Sequence, residues 1–128
     1  MPVDKNMPIL IVDDQKTMLR INRYMLNQLG FTNIEDASDG AEAVEKANKK
    51  EFKLILSDWN MEPMDGLTFL KKIRSNAKTK DVIFVMVTAE TKAENVVAAK
   101  KAGVTNYIIK PFNAETLKAK LATVIGKF

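Results

Sequence analysis

The chain contains no histidine and no cysteine. Imidazole catalysis, histidine-ligated metal sites and a phosphohistidine on this chain are excluded. So are disulfides and thiol chemistry, which suits a reducing compartment. Glycine and proline number only five and four in 128 residues, so no glycine-rich linker or proline-rich tract divides the chain. The first apolar run stops at Asp13, too soon for a signal-peptide core and far too short to span a bilayer. No membrane association is expected, and the location is read as cytoplasmic. There is no arginine cluster, aromatic interleaving or reading-helix motif, so no nucleic-acid partner is expected.

What the chain does have is a globular composition, 46% hydrophobic and 28% charged, at a length that fits one domain with its own core. The net charge of +4 is unevenly spread. Residues 91–128 hold seven lysines and two acids, a net of +5. That third reads as a lysine-rich solvated surface or as a basic face for an acidic partner.

Five short apolar runs alternate with five helical patterns. The runs are Pro8–Val12, Asn33–Ala37, Lys53–Ser57, Val82–Val87 and Asn106–Ile109. The first helix is read from Met18, Ile21, Met25 and Leu29, spaced about one turn apart and stopped by Gly30. The second opens at Ser38 or Asp39, with Glu42 at capping-box spacing and Val44 and Ala47 inward. The third follows Asp65-Gly66 and buries Leu67, Leu70 and Ile73. The fourth starts at a second capping box, Thr91-Lys92-Ala93-Glu94, and ends at Gly103; the fifth is capped by Asn113 and buries Leu117, Leu121, Val124 and Ile125. This alternation predicts an α/β fold, a doubly wound parallel sheet of (βα)5 form. The strand order 2-1-3-4-5 is taken from the known flavodoxin-like arrangement.

In that order the first and third strands are neighbours, and ligands bind where parallel strands end. The first ends in Asp13-Asp14 and the third in Asp58, so three carboxylates converge. Left unpaired, they would repel and raise one another's pKa. An all-oxygen ligand set favours Mg²⁺, Mn²⁺ or Ca²⁺ over zinc or copper, and an open, water-filled site suits Mg²⁺. The fourth strand delivers Thr88-Ala89 to the same edge, and the fifth delivers Lys110-Pro111-Phe112. A hydroxyl, a backbone N–H and an ammonium can all donate to an anion. A cis bond before Pro111 would aim Lys110 back into the site.

Asp13-Asp14, Asp58-Trp59-Asn60, Thr88-Ala89 and Lys110-Pro111-Phe112 resemble the signature of two-component response-regulator receiver domains. The resemblance spans residues 1–128 as one receiver unit without an output domain, and is strongest to the chemotaxis members. It implies that Asp58 is the phosphoacceptor for a sensor histidine kinase. It implies that Asp13, Asp14, Asp58 and the carbonyl of Asn60 hold Mg²⁺. Lys110 would pair with the phosphoryl group, Thr88 and the Ala89 N–H would donate to it, and Tyr107 would be an aromatic switch. Further implied partners are a flagellar motor switch protein or other effector on the helix 4–strand 5–helix 5 face, and a phosphatase. A monomer is expected, and not an enzyme beyond self-phosphorylation and autodephosphorylation. Alternatives are a phosphorelay unconnected with motility, or a Mg²⁺-dependent aspartyl-phosphate phosphatase. The phosphatase would need a second acid where Asn60 stands, and a flavodoxin-like cofactor module would have to bring a phosphate against Asp13-Asp14. One departure from the family pattern is Glu62-Pro63, where proline falls one residue late and an acid takes its usual place.

Overall fold

A computed structural model describes residues 4–89 and 92–125. The elements run β1 (Ile9–Val12), α1 (Lys16–Gln28), β2 (Ile34–Ala37), α2 (Gly40–Lys49), β3 (Leu54–Asp58), α3 (Gly66–Ser75), β4 (Ile83–Thr88), α4 (Ala93–Ala102), β5 (Asn106–Ile109) and α5 (Ala114–Ile125). The five strands form one parallel sheet in the order β2-β1-β3-β4-β5. The predicted fold class and strand order are both correct.

Alternation along the strands sorts the core into two layers. Leu10, Val12, Ile55, Trp59, Phe84 and Met86 pack with Ala43, Ala47, Phe69, Leu70, Ile73 and Ala99 from α2, α3 and α4. Ile9, Ile11, Leu54, Leu56, Val85, Val87 and Ile108 pack with Leu19, Leu26, Leu117 and Leu121 from α1 and α5. Helices thus cover both faces, which is why β1, β3 and β4 are almost wholly buried.

Local chemistry sets several helix ends. Asp39 and Asp65 cap α2 and α3, accepting from the backbone N–H of Glu42 and Thr68 at 2.7 and 2.8 Å. Asn113 does the same for Thr116 at 2.8 Å. In the α2 box, Glu42 reaches back to the N–H of Ser38 instead of Asp39. Gly103 closes α4 in the left-handed conformation, φ +97°. The Thr91 end of the capping box expected for α4 lies outside the described residues.

Two expectations are corrected. Strand β3 runs one residue further than predicted and includes Asp58. On α1 the inward side chains are Leu19, Asn22 and Leu26, whereas Met18 and Met25 are half-buried and Ile21 is 39% exposed. Apolar residues cover a wide arc of this helix; Met25 and Leu29 of the predicted stripe pack partly buried against the core beside Leu19 and Leu26, while Ile21 falls on the exposed flank. Among the described residues no helix is long and apolar enough to cross a membrane.

Candidate metal and phosphoryl-acceptor site

The carboxylates gather because β1 and β3 pair in register, Val12 opposite Ser57, and both strands leave the core at the same edge. One carboxylate oxygen each from Asp13, Asp14 and Asp58 lies within 4.8 Å of the others. Asp13 and Asp58 are buried, while Asp14 is exposed. Lys110, delivered by the turn after β5, places its Nζ 2.9 Å from Asp58 Oδ1 and 3.7 Å from Asp13 Oδ2. The Lys110–Pro111 bond is cis, as is Glu62–Pro63.

Asp13 is the strained member of the group. Its Oδ1 accepts the backbone N–H of Gln15 at 2.9 Å. Its Oδ2 is buried and has no hydrogen-bond partner among the described residues. Burial pushes the Asp13 carboxyl up to about 6, with the negative charges of Asp58 and Asp14 adding to the rise; the Gln15 N–H and Lys110 pull the other way. A buried carboxylate oxygen with only a distant lysine for company, among oxygen-only donors and beside the exposed Asp14, is what a hard divalent cation fits. Three acids with one lysine between them leave the group short of positive charge.

The remaining predicted residues sit around this cluster. Thr88 is buried at the end of β4, and its carbonyl accepts the N–H of Lys110 at 2.8 Å. Ala89 follows it, exposed. Tyr107 is half-buried on β5, its ring edge-on to Trp59 with centroids 6.4 Å apart. Asn60 is exposed, two residues beyond Asp58. Glu62 is exposed in the same loop.

Two backbone supports were not anticipated from sequence. The Gln15 N–H holds Asp13, and Gly66 lies against the end of β3. A Cβ at Gly66 would stand 2.3 Å from the Asp58 carbonyl oxygen and 2.8 Å from Trp59 Cα. The Asp65-Gly66 pair hinted at the helix start, but not at this close approach. Met18, Ile21 and Met25 line a groove of about 260 Å³ with Lys110, Pro111 and Phe112. A second cavity of about 300 Å³, lined by residues such as Phe52, Thr79 and Asp81, contains none of the predicted site residues.

Residues 9–122 match the response regulator receiver domain family. The chain belongs to that family. It is similar to chemotaxis protein CheY-3 of Vibrio cholerae serotype O1, at 47% identity over 125 residues, covering 98% of this chain and 96% of the relative. Among solved structures it resembles V. cholerae CheY4, at 37% identity and a TM-score of 0.87, covering 93% of this chain and 98% of that one. It also resembles the receiver domain of sensor histidine kinase PA1611 from Pseudomonas aeruginosa PAO1, described with a magnesium ion coordinated in the active site cleft. That match has 27% identity and a TM-score of 0.85, covering 95% and 99% of the two chains. The chain is therefore a receiver resembling chemotaxis regulators of two-component signalling, and its acidic cluster fits Mg²⁺.

Proposed function

We propose that this receiver takes a phosphoryl group from the phosphohistidine of a sensor kinase onto Asp58, with Mg²⁺ held by Asp13, Asp14, Asp58 and the Asn60 carbonyl. The observation that carries this reading is the buried Asp58 carboxylate, 2.9 Å from Lys110 and grouped with two further acids. Bound Mg²⁺ would supply charge neutralisation for the phosphoryl oxygens. An Asp58 oxygen attacks phosphorus; the N–P bond breaks, and its electron pair leaves with the imidazole. Lys110 then pairs with the phosphoryl group, and the Thr88 hydroxyl and Ala89 N–H donate to it. Most of the work is positioning and charge stabilisation.

The output is binding. Movement of Thr88 toward the phosphoryl group lets Tyr107 turn inward, and the α4–β5–α5 surface changes its affinity for a partner. That surface exposes Val97 and Ile109 among Lys92, Lys100, Lys101 and Lys118, which suits an acidic amphipathic segment such as one from a flagellar motor switch protein. The partner must bind the two states unequally for this to act as a switch. A phosphatase that hydrolyses the Asp58 acyl phosphate would reset it.

The test is phosphate incorporation with Mg²⁺ and a small phosphodonor, followed with Trp59 fluorescence, in wild type and Asp58→Asn. Incorporation is expected in wild type alone. Equal label on the variant would place the acceptor elsewhere.

A further inference from the structure

Ser57 is a hydroxyl in an otherwise apolar stretch of β3, next to the phosphoacceptor. It is fully buried, and its register partners are Val12 on β1 and Met86 on β4. A hydroxyl in such surroundings is costly unless it is bonded. Its Oγ donates to the backbone carbonyl of Asp58 at 3.0 Å.

Asp58 is the last residue of β3 and still pairs with Val87 on β4, but it has no register partner on β1. The β1–β3 ladder ends at the Val12–Ser57 pair, one residue before Asp58. The peptide that follows is tied by backbone alone. The Trp59 N–H donates to Val87 at 3.2 Å, and the Trp59 carbonyl accepts from Gly66 and Met61 at 2.7 and 3.1 Å. Gly66, with no Cβ, lies directly against the Asp58 carbonyl. The Asp58 peptide plane is thus held between a side-chain donor and a glycine backbone.

We infer that Ser57 is a positioning residue for phosphoryl transfer: its hydroxyl fixes the Asp58 peptide plane, and through it the aim of the Asp58 carboxylate. This rests on Asp58 being the phosphoacceptor. Losing the hydroxyl leaves a buried carbonyl without that donor, and the peptide can tilt. The carboxylate then moves relative to Asp13 and Lys110, although neither of those residues has changed. Displacements well under an ångström slow a reaction that depends on in-line geometry.

The experiment measures phosphoryl incorporation from acetyl phosphate with saturating Mg²⁺, at varied donor concentration, in wild type, Ser57→Ala and Ser57→Thr. Thermal melting of each variant is recorded alongside. Ser57→Ala is expected to lower the saturating rate about tenfold and to leave the half-saturating donor concentration within about twofold. Ser57→Thr, which restores the donor, is expected to recover the rate to within about threefold. A role in stability alone would lower melting and leave the rate of the folded protein unchanged. A wild-type rate in Ser57→Ala, or a slow rate that threonine does not recover, overturns the inference. Should the alanine variant fail to fold, Ser57→Cys keeps the volume with a weaker donor, and a wild-type rate there overturns it equally. No incorporation into wild type would instead overturn the phosphoacceptor reading, and this inference with it.

Discussion

Magnesium affinity should depend on pH through Asp13. The perturbation is a drop from about pH 7.5 to about pH 5, across a carboxyl that burial has pushed up to about 6. Only the ionised carboxylate binds the cation, so apparent affinity follows the ionised fraction. At about pH 7.5 that fraction is about 97%, and at about pH 5 it is about 9%. The dissociation constant should therefore rise about tenfold from this residue alone. A carboxyl at the ordinary aspartate value of 3.8 would still be about 94% ionised at about pH 5 and would leave affinity almost unchanged. The assay is a Mg²⁺ titration followed by Trp59 fluorescence at constant ionic strength, on wild type and Asp13→Asn. Asparagine should weaken binding at every pH and remove the tenfold component of the slope. An identical pH slope in the two proteins would refute the reasoning, because the titrating group would then lie elsewhere.

The same shift has a stability consequence. Because the folded-state pKa of Asp13 is raised, the folded protein holds that proton more tightly than the unfolded chain. The contribution is fully present below about pH 4 and is lost as pH rises through about 6, so Mg²⁺ should raise the urea midpoint more at about pH 7.5 than at about pH 5. Gly66→Ala drives a Cβ against the Asp58 carbonyl and should cost about 1–3 kcal/mol or more, read by urea denaturation. Leu26→Ala, at a fully buried position, should cost about 2–5 kcal/mol. Ile21→Ala, on the exposed flank of α1, should cost well under about 1 kcal/mol, and the reverse ranking would show that Ile21 rather than Leu26 faces the core.

The strand ends were legible because each is a local event. The run Ile9–Val12 is continuously apolar and stops at an acid, and Leu54–Leu56 reaches one after a single serine, so periodicity and boundary agree within a few residues. Helix caps at Asp39 and Asn113 were legible for the same reason: the acceptor and its N–H lie three residues apart. The orientation of α1 was not. Met18, Leu19, Ile21, Met25, Leu26 and Leu29 offer more than one plausible stripe, and only contact with the sheet and α5 chooses Leu19 and Leu26. The cis state of Lys110–Pro111 was posed by the Pro111 motif and answered by the fold. The close approach at Gly66 had no sequence signal, because it depends on α3 lying against the end of β3.

By itself the sequence determined the inventory: which strands end in carboxylates, which end in Thr88 and Lys110, and that no histidine or cysteine competes for the cation. Those are properties of short stretches, set by nearest neighbours in the chain. Tertiary structure alone decided what the inventory does. Lys110 and Asp58 stand 52 residues apart in the chain, yet they meet at 2.9 Å. The Asp13 pKa is raised chiefly because folding buries the carboxyl, and further because folding brings Asp58 close to it. Distance and desolvation between elements are set by crossovers and packing, which no single stretch of sequence contains.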